Sequence, residues 1–439
     1  MTNKIKAFFV LAMFLMTVCL APFQTAAQAN DTYAIRNARI VTVTGATIEK
    51  GTVVIQNGKI AAVGAGVAVP SGAKVIDGTG LSVYPGMIDS GTTMGLEEIG
   101  SVAGGQDTSE ISDNNANVHV NVSIHAESSH IPVARVNGIT TTLSAPQGGT
   151  IAGQSALINL DGWTWKELTL KTPVAMHINW PGAGGGRGGG FGGFGGGQRS
   201  ITELRRQQDR QIEGLKKTLL DAKAYGDAKD ARAKDASLPK LDVDLKKDAL
   251  IPVVRGQIPV VVNANSARDI KRAVEFAKEL GLKLIISGGV EANQVAELLK
   301  ANNVPVIVGP ILRFPSNEDD GYDAPFTNPG LLVKAGVKIA FQTADSAYVR
   351  NLPYHAGMAA AFGLSKEDAL KAVTINAAEI WGVADKIGSI ETGKIANLIV
   401  TDGDPLEILT QIKYLFINGK QVPLTSKHTE LNDKYKARP

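Results

Sequence analysis

The chain has 439 residues, of which 44% are apolar and 20% charged, so it can bury one large core or two to three smaller ones and is not disordered as a whole. Its formal net charge is +3, and because Lys4 and Lys6 precede residue 30, +3 minus 2 leaves +1 for the remainder. A balance so close to neutral gives no electrostatic reason to expect binding to nucleic acid or to a membrane surface.

Residues 1–29 have the pattern of an export signal. Lys4 and Lys6 precede the apolar run AFFVLAMFLMTVCLAPF, and Ala27-Gln28-Ala29 supplies a small-x-small cleavage site. We therefore expect an exported protein, periplasmic or secreted, with no membrane span after signal cleavage; a membrane anchor is the alternative. The single cysteine, Cys19, lies in this segment, which excludes disulfides, thiolate catalysis and cysteine-ligated zinc in the mature chain.

Both ends of the remaining chain predict short strands. β-branched runs occur at residues 40–43, 52–55 and 59–63, and Asn57-Gly58 is a hairpin turn signal between the last two. The C-terminal part repeats this style, with a second turn signal at Asn418-Gly419. Neither part is large enough for a stable sheet alone, so we predict that residues 30–84 and 386–439 pair into a small composite β-sandwich.

Residues 85–385 alternate apolar strands with helices. QIPVVVNAN, KLIISGG, VPVIVGP and VKIAFQTAD read as strands, and helical patterns such as ARDIKRAVEFAKELG separate them. This alternation predicts a parallel sheet in an α/β fold, and its length suits a (β/α)8 TIM barrel. A doubly wound sheet is the alternative, disfavoured because no Gly-x-Gly-x-x-Gly follows the first strand of the region.

Two stretches do not fit a compact barrel. The Gly-rich insert at residues 182–197 has almost no side chains to bury, and we expect a mobile loop that is either a lid or a tolerated insertion. The charged stretch that follows it predicts a helix with one solvated face.

Three histidines occur close together in HVNVSIHAESSH, at His119, His125 and His130, with Glu127 among them. They are candidate ligands for zinc. However, His125 and His130 are five residues apart and would not share a helix face, and His119 alternates with valines as in a strand. Surface or packing histidines are the favoured interpretation.

The stretches VIDGTGLSVYPGMID and AVTINAAEIWGVADKIGSIETGKIANLIVTDGDPLE resemble the amidohydrolase superfamily, specifically its imidazolonepropionase-like branch. The resemblance covers nearly the whole chain after residue 30. It implies a (β/α)8 barrel flanked by a β-sandwich from both chain ends. It also implies hydrolysis of C–N bonds in cyclic amides or dipeptides, by one or two metal ions that activate water at the carboxyl ends of the barrel strands.

The resemblance also implies which residues form the site, and four histidine ligands are absent at the matching positions. These positions carry Gly91, Thr93, Asn263 and Gly288. Glycine offers no side chain, and neutral Thr and Asn oxygens are poor zinc ligands, so no cofactor is expected, and zinc only if the His119, His125 and His130 cluster replaces the lost site. The bridging position falls on His177, and the catalytic Asp falls on or beside Asp345.

Two hypotheses for function follow. One is an altered hydrolase acting on C–N bonds through Asp345, with a non-standard metal or none. The other, which we favour, is a catalytically silent barrel that acts as a binding or partner subunit. Its cleft would bind a small amide or peptide-like ligand, with His177, Asn263, Arg350 and His355 as candidate contacts, and it would form a homo-oligomer or pair with a metal-bearing relative.

Overall fold

The computed structural model describes residues 32–182 and 200–438. The expected export signal at residues 1–29 and nearly all of the Gly-rich insert lie outside the described residues. Within the described ranges, no helix is long and apolar enough to cross a bilayer.

The two ends of the chain pair with each other in one sheet of eight strands, whereas the sequence predicts a sandwich. Ser82–Pro85 pairs with Leu398–Thr401 antiparallel, which joins the N-terminal strands to the C-terminal ones. The ring of Tyr33 lies edge-on to the ring of Phe416, with centroids 5.1 Å apart, in a core shared by both ends. The strands of this sheet are β1 Tyr33–Ile40, β2 Ile48–Gln56, β3 Lys59–Gly64, β4 Lys74–Asp77, β5 Ser82–Pro85, β16 Leu398–Thr401, β17 Ile412–Ile417 and β18 Lys420–Val422.

Both Asn-Gly turns lie where the sequence predicts them, with Asn57 at φ 52° and Asn418 at φ 51°. The strand expected at residues 40–43 is displaced. β1 ends at Ile40, and Val43 has φ 72°, so the chain has already left the extended conformation there.

The central region contains seven parallel strands in two sheets rather than eight in one closed ladder. The two parallel groups are separate because β8 (Ile151–Gln154) and β9 (Ala156–Asn159) lie between them. These two strands run antiparallel to their neighbours β11 (Met176–Asn179) and β7 (Ile139–Ser144). The opposite edge strands of the two sheets are β6 and β15, and near their carboxyl ends the Ala344 amide donates to the Gly91 carbonyl at 2.9 Å. The strands are β6 Met87–Thr92, β7 Ile139–Ser144, β8 Ile151–Gln154, β9 Ala156–Asn159, β10 Thr169–Lys171, β11 Met176–Asn179, β12 Val260–Ala264, β13 Leu284–Gly288, β14 Val306–Val308 and β15 Ile339–Phe341.

Helices separate the parallel strands, and their ends follow local signals. Ser266 caps the helix Ala267–Leu280, which closes at Gly281 in the left-handed conformation, as the sequence predicts. The helices are α1 His130–Arg135, α2 Trp165–Leu168, α3 Ile201–Lys234, α4 Leu245–Val254, α5 Ala267–Leu280, α6 Ala296–Ala301, α7 Ala324–Lys334, α8 Leu352–Ala361, α9 Lys366–Ala372, α10 Ile375–Ile380 and α11 Lys427–Lys436.

Candidate functional site

A cavity of about 430 Å³ lies where the parallel strands end. Its walls come from the carboxyl ends of β6, β11, β12 and β13 and from the residues that follow β7 and β15. Parallel strands place these ends at one edge of the sheet, which is where ligands bind in α/β folds. The polar side chains of the wall are four amides, three hydroxyls and one imidazole: Gln147, Asn179, Asn263, Gln342, Ser90, Thr92, Ser287 and His177.

His177 and Asn263 therefore meet at the same cavity, as expected from the resemblance. They lie on the neighbouring strands β11 and β12, on which Asn179 pairs with Asn263. The Nε2 atom of His177 is buried and has no hydrogen-bond partner among the described residues. Burial lowers the pKa of this imidazole to about 4, so the ring is neutral near pH 7.

Gly91 faces a side chain that fills the space in front of it. A Cβ atom at residue 91 would lie 2.3 Å from Oε1 of Gln342. The Gln342 amide is held there because Oε1 accepts from the Ser287 hydroxyl at 3.1 Å and Nε2 donates to the Gly309 carbonyl at 3.0 Å.

Gly288 is blocked in the same way. A Cβ atom there would lie 2.3 Å from Oδ1 of Asn265, and the backbone has φ +88°, a conformation that L-residues rarely adopt. Thr93 does not line the cavity, and its hydroxyl donates instead to Glu97 Oε2 at 3.2 Å. Of the four presumed ligand positions, only Asn263 presents a donor atom to the cavity.

The remaining candidates lie outside the cavity wall. Asp345 Oδ1 accepts from the Ala347 and Tyr348 amides at 2.6 and 3.1 Å, so this carboxylate stabilises a turn. Arg350 donates to the Ala347 carbonyl. His355 is buried, its Nδ1 lies 3.2 Å from the Ile311 amide, and burial lowers its pKa to about 4.

Asp89 is a buried acid that is not among the site residues expected from the sequence. It lies below Gly91 on β6, where it accepts from the Gly91 amide at 3.1 Å and from the amide and hydroxyl of Thr343 at 3.2 and 2.6 Å. Full burial raises its pKa to about 7. The signal was its place in an apolar strand, GMID, where a carboxyl group must be buried.

The three histidines proposed as a replacement site do not converge. His130 lies at the start of α1, where its Nε2 is 3.0 Å from the Glu98 carbonyl, while His119 and His125 are exposed. Among the described residues, no group of three or more His, Cys, Asp or Glu side chains is arranged to hold a metal ion. The donor set at the cavity therefore does not fit a zinc or binuclear centre. Its neutral amides, hydroxyls and imidazole fit a ligand that is held by hydrogen bonds.

Comparisons with known proteins agree with the fold. Residues 268–422 match the family described as the Amidohydrolase family. The imidazolonepropionase of Picrophilus torridus is 29% identical over 137 residues, which are 30% of this chain and 34% of that protein. That of Syntrophobacter fumaroxidans is 35% identical over 82 residues, 18% of this chain and 19% of that protein. The matched segments thus span about a third or less of these curated relatives.

Among solved structures, an amidohydrolase from Thermotoga maritima has a similar fold. It is 25% identical, with a TM-score of 0.77, and the alignment covers 89% of this chain and 99% of that one. Amidohydrolase neighbours of this kind imply a TIM-barrel-type arrangement of the parallel strands.

Proposed function

We propose that the chain is a member of the amidohydrolase superfamily, on its imidazolonepropionase-like branch, that has lost its hydrolytic metal site and keeps its cavity to bind a small amide or peptide-like ligand. The family implies hydrolysis of C–N bonds. In this chain the same cavity would recognise amide groups without cleaving them.

The observation that supports this proposal most strongly is the occupation of the two glycine sites by amides. Oε1 of Gln342 and Oδ1 of Asn265 lie 2.3 Å from where side chains of residues 91 and 288 would begin. An imidazole at either position would have to displace a side chain. Gln342 in addition is fixed by two hydrogen bonds. The space in front of Gly91 and Gly288 is thus shaped by amides, which bind peptide-like groups well and zinc poorly.

The proposal extends to the setting of the protein. We place the cavity at the mouth of a (β/α)8 barrel carried by a composite β-sandwich, in a protein that is exported to the periplasm or secreted after loss of residues 1–29. In this proposal the barrel does not catalyse a reaction itself. It acts as a binding or partner subunit, either in a homo-oligomer or together with a metal-bearing relative.

Metal content and hydrolysis test the loss of the metal site. Protein purified without chelators and dialysed should retain far less than one equivalent of zinc or any transition metal, as measured by elemental analysis. It should not hydrolyse dipeptides or cyclic amides when zinc is added. One retained equivalent of metal, or turnover that Asp345→Asn or Asp89→Asn abolishes, would contradict the proposal.

Ligand-detected NMR tests the binding role. The probes are cyclic glycylproline, linear glycylproline and acetylproline methylamide, all small amides. At least one should bind, and Asn263→Leu and His177→Phe should each weaken that binding at least tenfold because they remove hydrogen-bonding groups from the wall. His125→Phe, which changes an exposed histidine outside the cavity, is the matched control and should leave binding unchanged.

A further inference from the structure

The wall of the cavity at the strand ends contains no charged side chain among the described residues. Its sixteen lining residues include no Asp, Glu, Lys or Arg. Its one titratable side chain, His177, is neutral near pH 7 because burial lowers its pKa to about 4. A site that recognises charged groups is expected to carry opposite charges, because burying an unpaired charge is unfavourable.

Three charged residues from the chain segments that form this wall have hydrogen-bond partners within the protein. Asp345 follows the wall residue Ala344, but its Oδ1 accepts from two backbone amides. Arg350 donates to the Ala347 carbonyl. Asp89, below Gly91, is fully buried behind the wall and accepts from Thr343 and Gly91. None of the three side chains lines the cavity.

The lining offers two other kinds of contact. Its polar part consists of amides and hydroxyls, which donate and accept hydrogen bonds. Its apolar part includes Val261 and Ile307, both nearly fully buried. A volume of about 430 Å³ suits a compact ligand with an amide edge and an apolar face.

We propose that this cavity selects an uncharged amide, of the cyclic dipeptide or end-blocked peptide class, and rejects the free, zwitterionic dipeptide of the same two residues. The proposal rests on the proposed binding function and gives it a ligand class. A free dipeptide would bring an ammonium and a carboxylate to a wall that can neutralise neither. A cyclic dipeptide of the same two residues replaces those charges with a second amide group.

The three probes above separate these cases, because they share the proline ring and differ in charge. Measured by isothermal titration calorimetry at about pH 7, cyclic glycylproline or acetylproline methylamide should bind at least tenfold more tightly than linear glycylproline. Equal or tighter binding of the zwitterion would overturn the selectivity and leave the binding function intact. If none of the three probes binds, the binding function itself is overturned, and the selectivity with it.

A variant that adds a negative charge to the wall gives an independent test. Asn263→Asp adds a carboxylate to the wall with little change in shape, and it should bind the cationic probe glycylproline amide at least tenfold more tightly than the wild type does. Asn263→Leu, which removes the polar group without adding charge, should not gain this affinity. Asn432→Asp, on the exposed C-terminal helix, is the control for net charge. Equal gains for Asn432→Asp and Asn263→Asp would overturn the proposal.

Discussion

At the scale of single residues, the shape of the site depends on two pairs, each of a glycine and an amide side chain. Gly91 leaves room that Gln342 fills, and Gly288 leaves room that Asn265 fills. Empty space in a packed region costs stability. The amide side chains in front of these glycines fill that space and also supply hydrogen-bonding groups.

Asp89 gives a prediction about pH. Its pKa is raised by burial from 3.8 to about 7, so between about pH 4 and pH 7 the unfolded chain has released a proton that the folded chain still holds. The free energy of unfolding should therefore fall as pH rises through this window, by an amount on the order of a few kcal/mol. Asp89→Asn removes the titration and should flatten the dependence.

Urea unfolding between about pH 4.5 and pH 7.5 measures this effect. Other acids contribute to the wild-type curve, so the relevant quantity is the difference between wild type and Asp89→Asn. Asp433→Asn, an exposed acid on α11, should follow the wild type. Parallel curves for wild type and Asp89→Asn would show that the carboxyl group does not titrate in this window.

At the scale of elements, the long helix α3 packs on the core through an apolar face and one buried polar side chain, that of Gln208. Its buried face includes Ile212, Leu215 and Leu219, which confirms the solvated amphipathic helix that the sequence predicts. Near its start, Gln208 donates to the Pro181 carbonyl at 2.6 Å and to Asp269 Oδ1 at 2.9 Å. It also accepts from Arg272 at 2.7 Å, so its amide fixes α3 against α5.

Gln208→Leu should lower the free energy of unfolding by about 1–3 kcal/mol, because the Pro181 carbonyl and the Arg272 guanidinium lose their buried partner. The matched control is Gln211→Leu, which changes an exposed residue of the same helix and should cost less than about 0.5 kcal/mol. Chemical denaturation measures both. Equal losses would mean that α3 is held by its apolar face alone.

At the scale of the whole molecule, a buried network of amides joins the composite sheet to the parallel strands. Asn397 donates to Thr141 Oγ1 at 3.3 Å and to Asn159 Oδ1 at 3.0 Å, and it accepts from the Asn418 amide at 2.8 Å. Asn159 in turn donates to Asn418 Oδ1 at 2.9 Å. The network connects two residues from the C-terminal part of the composite sheet to β7 and β9, so the sheet and the parallel strands should unfold together.

Asn397→Leu tests this coupling. It removes one hydrogen-bond partner each from Thr141, Asn159 and the Asn418 amide, and the free energy of unfolding should drop by at least about 2 kcal/mol. Calorimetry should show a single transition for the wild type, with a lower midpoint for the variant. Asn432→Leu on α11 is the control and should change the midpoint little. Two separate transitions in the wild type would show that the sheet and the parallel strands are independent units.

The sequence by itself determined many of the helices and strands and the resemblance to the amidohydrolase superfamily. Strand alternation, the two Asn-Gly turns, the Ser266 cap and the Gly281 stop are local signals, because each depends on residues only a few positions apart. The resemblance also depends on contiguous stretches of sequence. It implied that Gly91 and Asn263, on β6 and β12, lie at the site, and both residues line the cavity.

Only the tertiary structure decided what occupies that cavity. Gln342 lies opposite Gly91, and the burial of Asp89 depends on Thr343, although each pair is separated by most of the chain. The resemblance implies a catalytic Asp on or beside Asp345, and only the structure shows that Oδ1 of this carboxylate accepts from two backbone amides. The physical reason is that charge, burial and free volume depend on the neighbours that folding brings together, and no local pattern in the sequence records those neighbours.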